Sequence, residues 1–127
     1  MEVAPGHGVK VLGHSLITAE VVHGSGAPST ALRLSDGEKV FAYSGDTEWT
    51  DALLPIARDA DLFVCECYGF EGKITGHMSW EALKARLADL RARQVMVTHM
   101  NPSVLGRLDE LRAGGVLVAA DGLVVEF

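Results

Sequence analysis

The feature that most constrains the fold is a strand that stops abruptly in front of a helix. Lys39-Val40-Phe41-Ala42-Tyr43 is built of β-branched and aromatic residues around one Ala, the make-up of a half-buried strand. Ser44-Gly45-Asp46-Thr47 ends it, and a helical pattern begins at Glu48. Asp46 therefore falls between the end of a strand and the start of a helix, where open α/β sheets collect ligands. Alone, Asp46 has a plain structural explanation, because Asp and Thr both cap helices. Two other apolar runs end in the same manner, Ala19-Glu20-Val21-Val22-His23 and Val95-Met96-Val97-Thr98-His99. His23 by itself reads as a turn residue, and His99 as a buried histidine satisfied by backbone groups. Three strand ends that each finish in a metal-type ligand make a site.

Around these runs the chain changes character. Residues 9–12, 16–22, 30–34 and 39–43 read as strands joined by tight turns, among them Ser35-Asp36-Gly37-Glu38. From Thr50 onward strands and helices alternate. Helices are expected over 50–58, 79–91 (capped by Ser79) and 103–113, with Trp80, Leu83, Leu87, Leu105 and Leu108 facing the core. Strands are expected over 61–67, 94–98, 116–120 and 123–127. Several are apolar on both faces, which suits a sheet covered on both sides. The expected fold class is α/β (α+β): one domain, residues 1–127, with a mixed sheet and helices on one face.

Composition narrows the function classes. At 127 residues the chain can bury one core, and no apolar run approaches the roughly 18–20 residues of a membrane span. The first residues lack the basic start and apolar middle of a signal peptide, so a cytoplasmic location is expected. A net charge of −6 argues against broad nucleic-acid binding, which needs a basic surface. Cys65 and Cys67 share one face of a strand, too close along an extended chain for an ordinary disulfide, and read as reduced core thiols. Between them Glu66 is costly to bury unless paired, and His77 is a candidate partner. His7 and His14, on the opening loop and a turn, read as solvated.

Five segments in order carry a family resemblance: Val-Val-His-Gly (His23), Tyr-Ser-Gly-Asp-Thr (Asp46), the strand with Glu66, Gly-His-Met-Ser (His77) and Val-Thr-His-Met (His99). Together they resemble the C-terminal half of a metallo-β-lactamase-fold hydrolase, nearest its ribonuclease Z-like branch. The resemblance implies half of an αββα sandwich and hydrolysis of a phosphodiester or related ester by metal-activated water. It implies Zn²⁺, or Mn²⁺, held by His23, Asp46 and His99, with Asp46 bridging two ions. It also implies His77 as the group that protonates the leaving oxygen and Glu66 as the carboxylate that orients it.

One departure is large. The family's H-x-H-x-D-H motif, which supplies further ligands, is absent from these 127 residues. Met1 stands where a longer homologue would be mid-chain, so a fragment, a split product or a degenerate member is expected, with weak metal binding and little turnover. The other class of function is a non-catalytic remnant that persists as a binding or assembly module. Three helices can cover only one face of the sheet. Unless the early hairpins fold across the other, a homodimer or a partner chain carrying the missing half is expected.

Overall fold

The structure is a computed structural model that describes residues 2–127. Hairpins build one half of its sheet and crossovers the other. β1 (Gly8–Val11), β2 (His14–Val21), β3 (Ser29–Ser35) and β4 (Val40–Tyr43) pair antiparallel in succession. The β3–β4 turn is held by Asp36, whose Oδ1 accepts from Glu38 N and Lys39 N at 2.9 and 2.8 Å. After β4 the connections become helical. α1 (Leu53–Ala57) leads to β5 (Leu62–Glu66), and α2 (Trp80–Leu90) leads to β6 (Val95–Thr98). α3 (Pro102–Leu105) and α4 (Leu108–Ala113) then lead to β7 (Leu117–Val118). β4 to β7 are parallel, giving a mixed seven-stranded sheet in sequence order.

Strand register divides the side chains cleanly. Ala31, Ala42, Phe63, Cys65 and Val97 share one face and are fully buried in one cluster with Leu53, Ile56, Leu83 and Leu111 of the helices. All the helices therefore cover that face. The opposite face presents Leu32, Leu34, Phe41, Tyr43 and Met96, each half-buried, beside Leu62 and Val64, which are buried; none of them is part of the cluster. The early hairpins do not fold across this face; they extend the same sheet sideways, β1 outermost. At about 25 cal/mol per Å², such a face gains from being covered.

Three expectations need correction. The helix expected over 103–113 is two short ones, separated at Gly106-Arg107. Asn101 caps the first by accepting from Ser103 N and Pro102 opens it, but the break resets the helical phase. Leu105 is consequently 52% exposed, while Val104 and Leu111 are buried. The helix expected over 50–58 starts only at Leu53, after a turn. Residues 123–127 form no strand; the tail instead brings Phe127 to 6.2 Å from Phe41, ring to ring, at the open face. Trp80 and Leu83 are core residues, as expected, and Leu87 and Leu108 pack against the core half-buried.

The split helix is testable. Leu111→Ala should cost about 2–5 kcal/mol in urea denaturation, the range for a buried Leu. Leu105→Ala should cost less than about 0.5 kcal/mol, as for a surface change. Equal costs would mean the helix is continuous.

Candidate metal centre

β2 and β4 both run antiparallel to β3, and β4, β5 and β6 are parallel. All four C-terminal ends therefore lie along one edge of the sheet. His23 follows β2, Asp46 follows β4, Glu66 ends β5 and His99 is the first residue beyond β6. Between β4 and Asp46, Gly45 has φ of +63°, and a Cβ there would meet the Thr30 carbonyl oxygen at 2.7 Å. Only glycine lets the loop cross β3 so closely while turning Asp46 onto the edge.

Thr47, beside Asp46, is fully buried and ties two strand ends together. Its Oγ1 accepts from Val22 N at 3.0 Å, and Glu48 N donates to Val22 O at 2.9 Å, so the residue before His23 is fixed. Its N–H donates to Glu66 Oε1 at 2.6 Å. That same oxygen accepts from His77 Nδ1 at 3.0 Å. The carboxylate is fully buried, and its Oε2 has no hydrogen-bond partner. Burial pushes the Glu66 carboxyl up from its ordinary range, while the Thr47 N–H, the more distant Met78 N–H and His77 pull it back.

The histidines are oriented by their own partners. His23 Nδ1 donates to Gly76 O at 2.9 Å, leaving Nε2 as its free edge. Gly76 has φ of +77°, and its N–H donates to Glu48 Oε1, so one glycine links the loop before His77 to both His23 and Glu48. His77, held at Nδ1 by Glu66, likewise has Nε2 free. Each ring thus shows the arrangement of a metal-binding histidine, one nitrogen committed to an oxygen acceptor and the other exposed. His99 sits at φ of +56°, a conformation uncommon for a non-glycine residue and found at functional sites. Its Nε2 lies 3.9 Å from Asp46 Oδ2.

One ligand atom each from His23, Asp46 and His77 lies within 4.8 Å of the others. The sequence-predicted residues are therefore all gathered: His23, Asp46 and His77 in this cluster, His99 beside Asp46, and Glu66 behind His77. The His77 and His99 rings stack at 5.4 Å between centroids. The carboxylates make the edge negative: burial first, then Asp46 and Glu66, push the Tyr43 phenol up. This donor set fits a divalent cation, with imidazole and carboxylate groups, two committed nitrogens and an excess of negative charge.

Sequence reasoning missed Tyr68, whose ring stacks on His77 at 4.7 Å and tilts against His99 at 5.5 Å. The only signal was its place two residues after Glu66. Thr47 was read as a cap alone, and its tie to Glu66 spans 19 residues of sequence.

Glu66 gives a prediction with a definite sign. A carboxyl whose pKa is higher folded than unfolded favours the folded state most when protonated. Its contribution falls as pH rises past the unfolded value of about 4.3. Glu66→Gln removes that titration. In chelator-treated protein, thermal unfolding should therefore show wild type losing stability relative to Glu66→Gln as pH rises from about 4 to 7. Parallel pH profiles would mean that burial does not perturb Glu66.

The family described as "Beta-lactamase superfamily domain" matches residues 1–100. A probable metallo-hydrolase, YhfI of Bacillus subtilis, is 32% identical over 108 residues, covering 76% of this chain and 43% of its own. The crystal structure of that metallo-β-lactamase-fold protein superposes with a TM-score of 0.83 at 22% identity, over 98% of this chain and 54% of its own. A diphosphatase of the PhnP family superposes at a TM-score of 0.73 and 21% identity, over 98% of this chain and 47% of its own. Human tRNase Z, short form, gives 0.70 and 16%, over 93% and 45%. The chain thus spans about half the length of the relatives it matches. It belongs to the β-lactamase superfamily and carries part of the full metallo-β-lactamase fold.

Proposed function

We propose that this chain is the metal-binding part of a hydrolase acting on a phosphodiester or related ester. The observation that carries the reading is the convergence of His23, Asp46 and His77 within 4.8 Å, with His99 3.9 Å from Asp46, at one sheet edge. His23, Asp46 and His99 are the residues that would hold the ion. Zinc suits imidazole and carboxylate together, and Mn²⁺ is the alternative. Such an ion, when bound, makes a water acidic enough to act as a nucleophile near neutral pH. The chain's own residues handle the proton. His77 is anchored at Nδ1, so Nε2 is the position from which it protonates the leaving oxygen, and the Glu66 carboxylate steadies the ring's positive charge.

A second reading, in which His77 is itself a ligand, is favoured by its membership of the 4.8 Å cluster. One variant separates the two. As a proton donor, His77→Ala leaves metal affinity near wild type and abolishes the chain's slight turnover. As a ligand, it weakens metal binding as much as His23→Ala does.

The open sheet face supports a proposal about assembly. Around the buried Leu62 and Val64, the half-buried Leu32, Leu34, Phe41, Tyr43 and Met96, which no helix covers among the described residues, offer a surface for another sheet, from a second copy or a partner chain bearing the missing half. Among the described residues no helix is long and apolar enough to cross a membrane. A cytoplasmic setting remains part of the proposal.

Two outcomes are expected. Calorimetry with Zn²⁺ should show uptake that His23→Ala, Asp46→Ala and His99→Ala each weaken and His14→Ala does not, with slight phosphodiesterase activity for the chain alone. Equal uptake by wild type and the triple alanine variant would reject the site. Sedimentation at micromolar concentration should show a dimer or a complex; a compact soluble monomer would sink the assembly proposal.

A further inference from the structure

A cavity of about 550 Å³ opens beside His77, between the loop after Asp46, the loop before His77 and the first turns of α2. Its size lies inside the range of about 300–1,000 Å³ that small-molecule sites occupy. Trp49, Ile74, Ala82 and Ala85 supply apolar lining, and the two alanines leave the room that a larger side chain would fill. The walls are braced. Arg86 lies 4.6 Å over the Trp49 ring, and Trp49 Nε1 donates to Asp51 Oδ1 at 3.2 Å, so the indole is fixed from two directions. Ile74 sits against Gly69, where a Cβ would collide with it, and His77 N donates to Ile74 O at 3.1 Å. The loop between is pinned at both ends: Gly72 N donates to Glu81 Oε2 at 2.9 Å and Gly76 N to Glu48 Oε1 at 3.2 Å.

The charged lining selects the occupant. Glu48 and Glu81 line the cavity with Lys73, and Arg86, over Trp49, is itself paired with Asp51 and Asp89, so the surroundings stay net negative. A polyanionic strand or a second phosphate is repelled there, and a neutral ring is not. Indole faces also attract aromatic groups beyond the gain from area alone.

We propose that this cavity binds the uncharged aromatic portion of a small ester, held beside His77 with the ester group towards the metal centre. The ester part of the assignment rests on the hydrolase reading above; the aromatic subsite does not.

The test uses the whole chain, labelled with ¹⁵N, and two probes that share a naphthalene ring: naphthol, which is neutral, and naphthalene disulfonate, a dianion. Naphthol should give saturable amide and indole shifts at Trp49, Gly72, Ala82 and Ala85, and none at the indole of Trp80, which is 3% exposed. The dianion should bind at least about tenfold more weakly, and Ala82→Phe, which fills the cavity, should weaken naphthol by about tenfold or more. Absence of saturable shifts at those residues, or equal binding of the two probes to wild type, would overturn the proposal even if Ala82→Phe did not fold. Zinc uptake by the same sample reports on the hydrolase reading separately. Naphthol binding that survives in the His23, Asp46 and His99 triple alanine variant supports the subsite whatever the fate of the metal centre.

Discussion

The buried carboxylate of Glu66 is the interaction on which the functional edge depends. One oxygen accepts two hydrogen bonds, from the backbone N–H beside Asp46 and from the ring of His77. Burying a carboxylate without partners costs several kcal/mol, so the sheet tolerates Glu66 only because these donors are in place. The same requirement acts in reverse and fixes the donors. Thr47, held by Glu66, in turn fixes Val22 and hence the start of the His23 loop. His23, Asp46 and His77 thus belong to one network, and loosening any strand end loosens the others.

The edge exists because hairpin and crossover halves meet at β4. Antiparallel pairing brings β2 into the same direction as β4, and parallel pairing adds β5 and β6. Side chains at successive strand ends then converge without a long-range search by loops. The cost is visible in the backbone. Gly45 and Gly76 adopt positive φ beside the site, and His99 does so without being glycine. The sheet's second face follows from the same topology: among the described residues, seven strands in sequence order put every helix on the other side and leave the tail, with Phe127, to meet this one at Phe41.

Much of this was legible in the sequence because the decisive signals are local. An apolar strand that stops at Ser-Gly-Asp-Thr, or at Thr-His, states its own end, and order along the chain supplied the family resemblance. Pairing of Glu66 with His77 was legible from burial cost, since a carboxylate between two core cysteines needs a partner. What failed was phase and placement. Leu105, Leu108 and Leu111 keep helical spacing across a break at Gly106-Arg107, so their spacing concealed the reset. The apolar run at 123–127 has the composition of a strand, but β7 is only two residues long and the tail turns towards Phe41 instead. A hairpin's sequence is the same whether it extends a sheet or folds over it, so the open face needed the structure. Tyr68 and Thr47 act across loops, where periodicity carries no information.

The central claim is that one sheet edge of this chain holds a divalent metal through His23, Asp46 and the neighbouring histidines. Crystals grown with Zn²⁺ and measured on both sides of its absorption edge test it most directly. The account predicts an anomalous peak at about 2.0–2.2 Å from a His23 nitrogen and an Asp46 oxygen, the usual zinc distances. Full zinc loading with the peak elsewhere, at the surface histidines His7 or His14 for example, would contradict it.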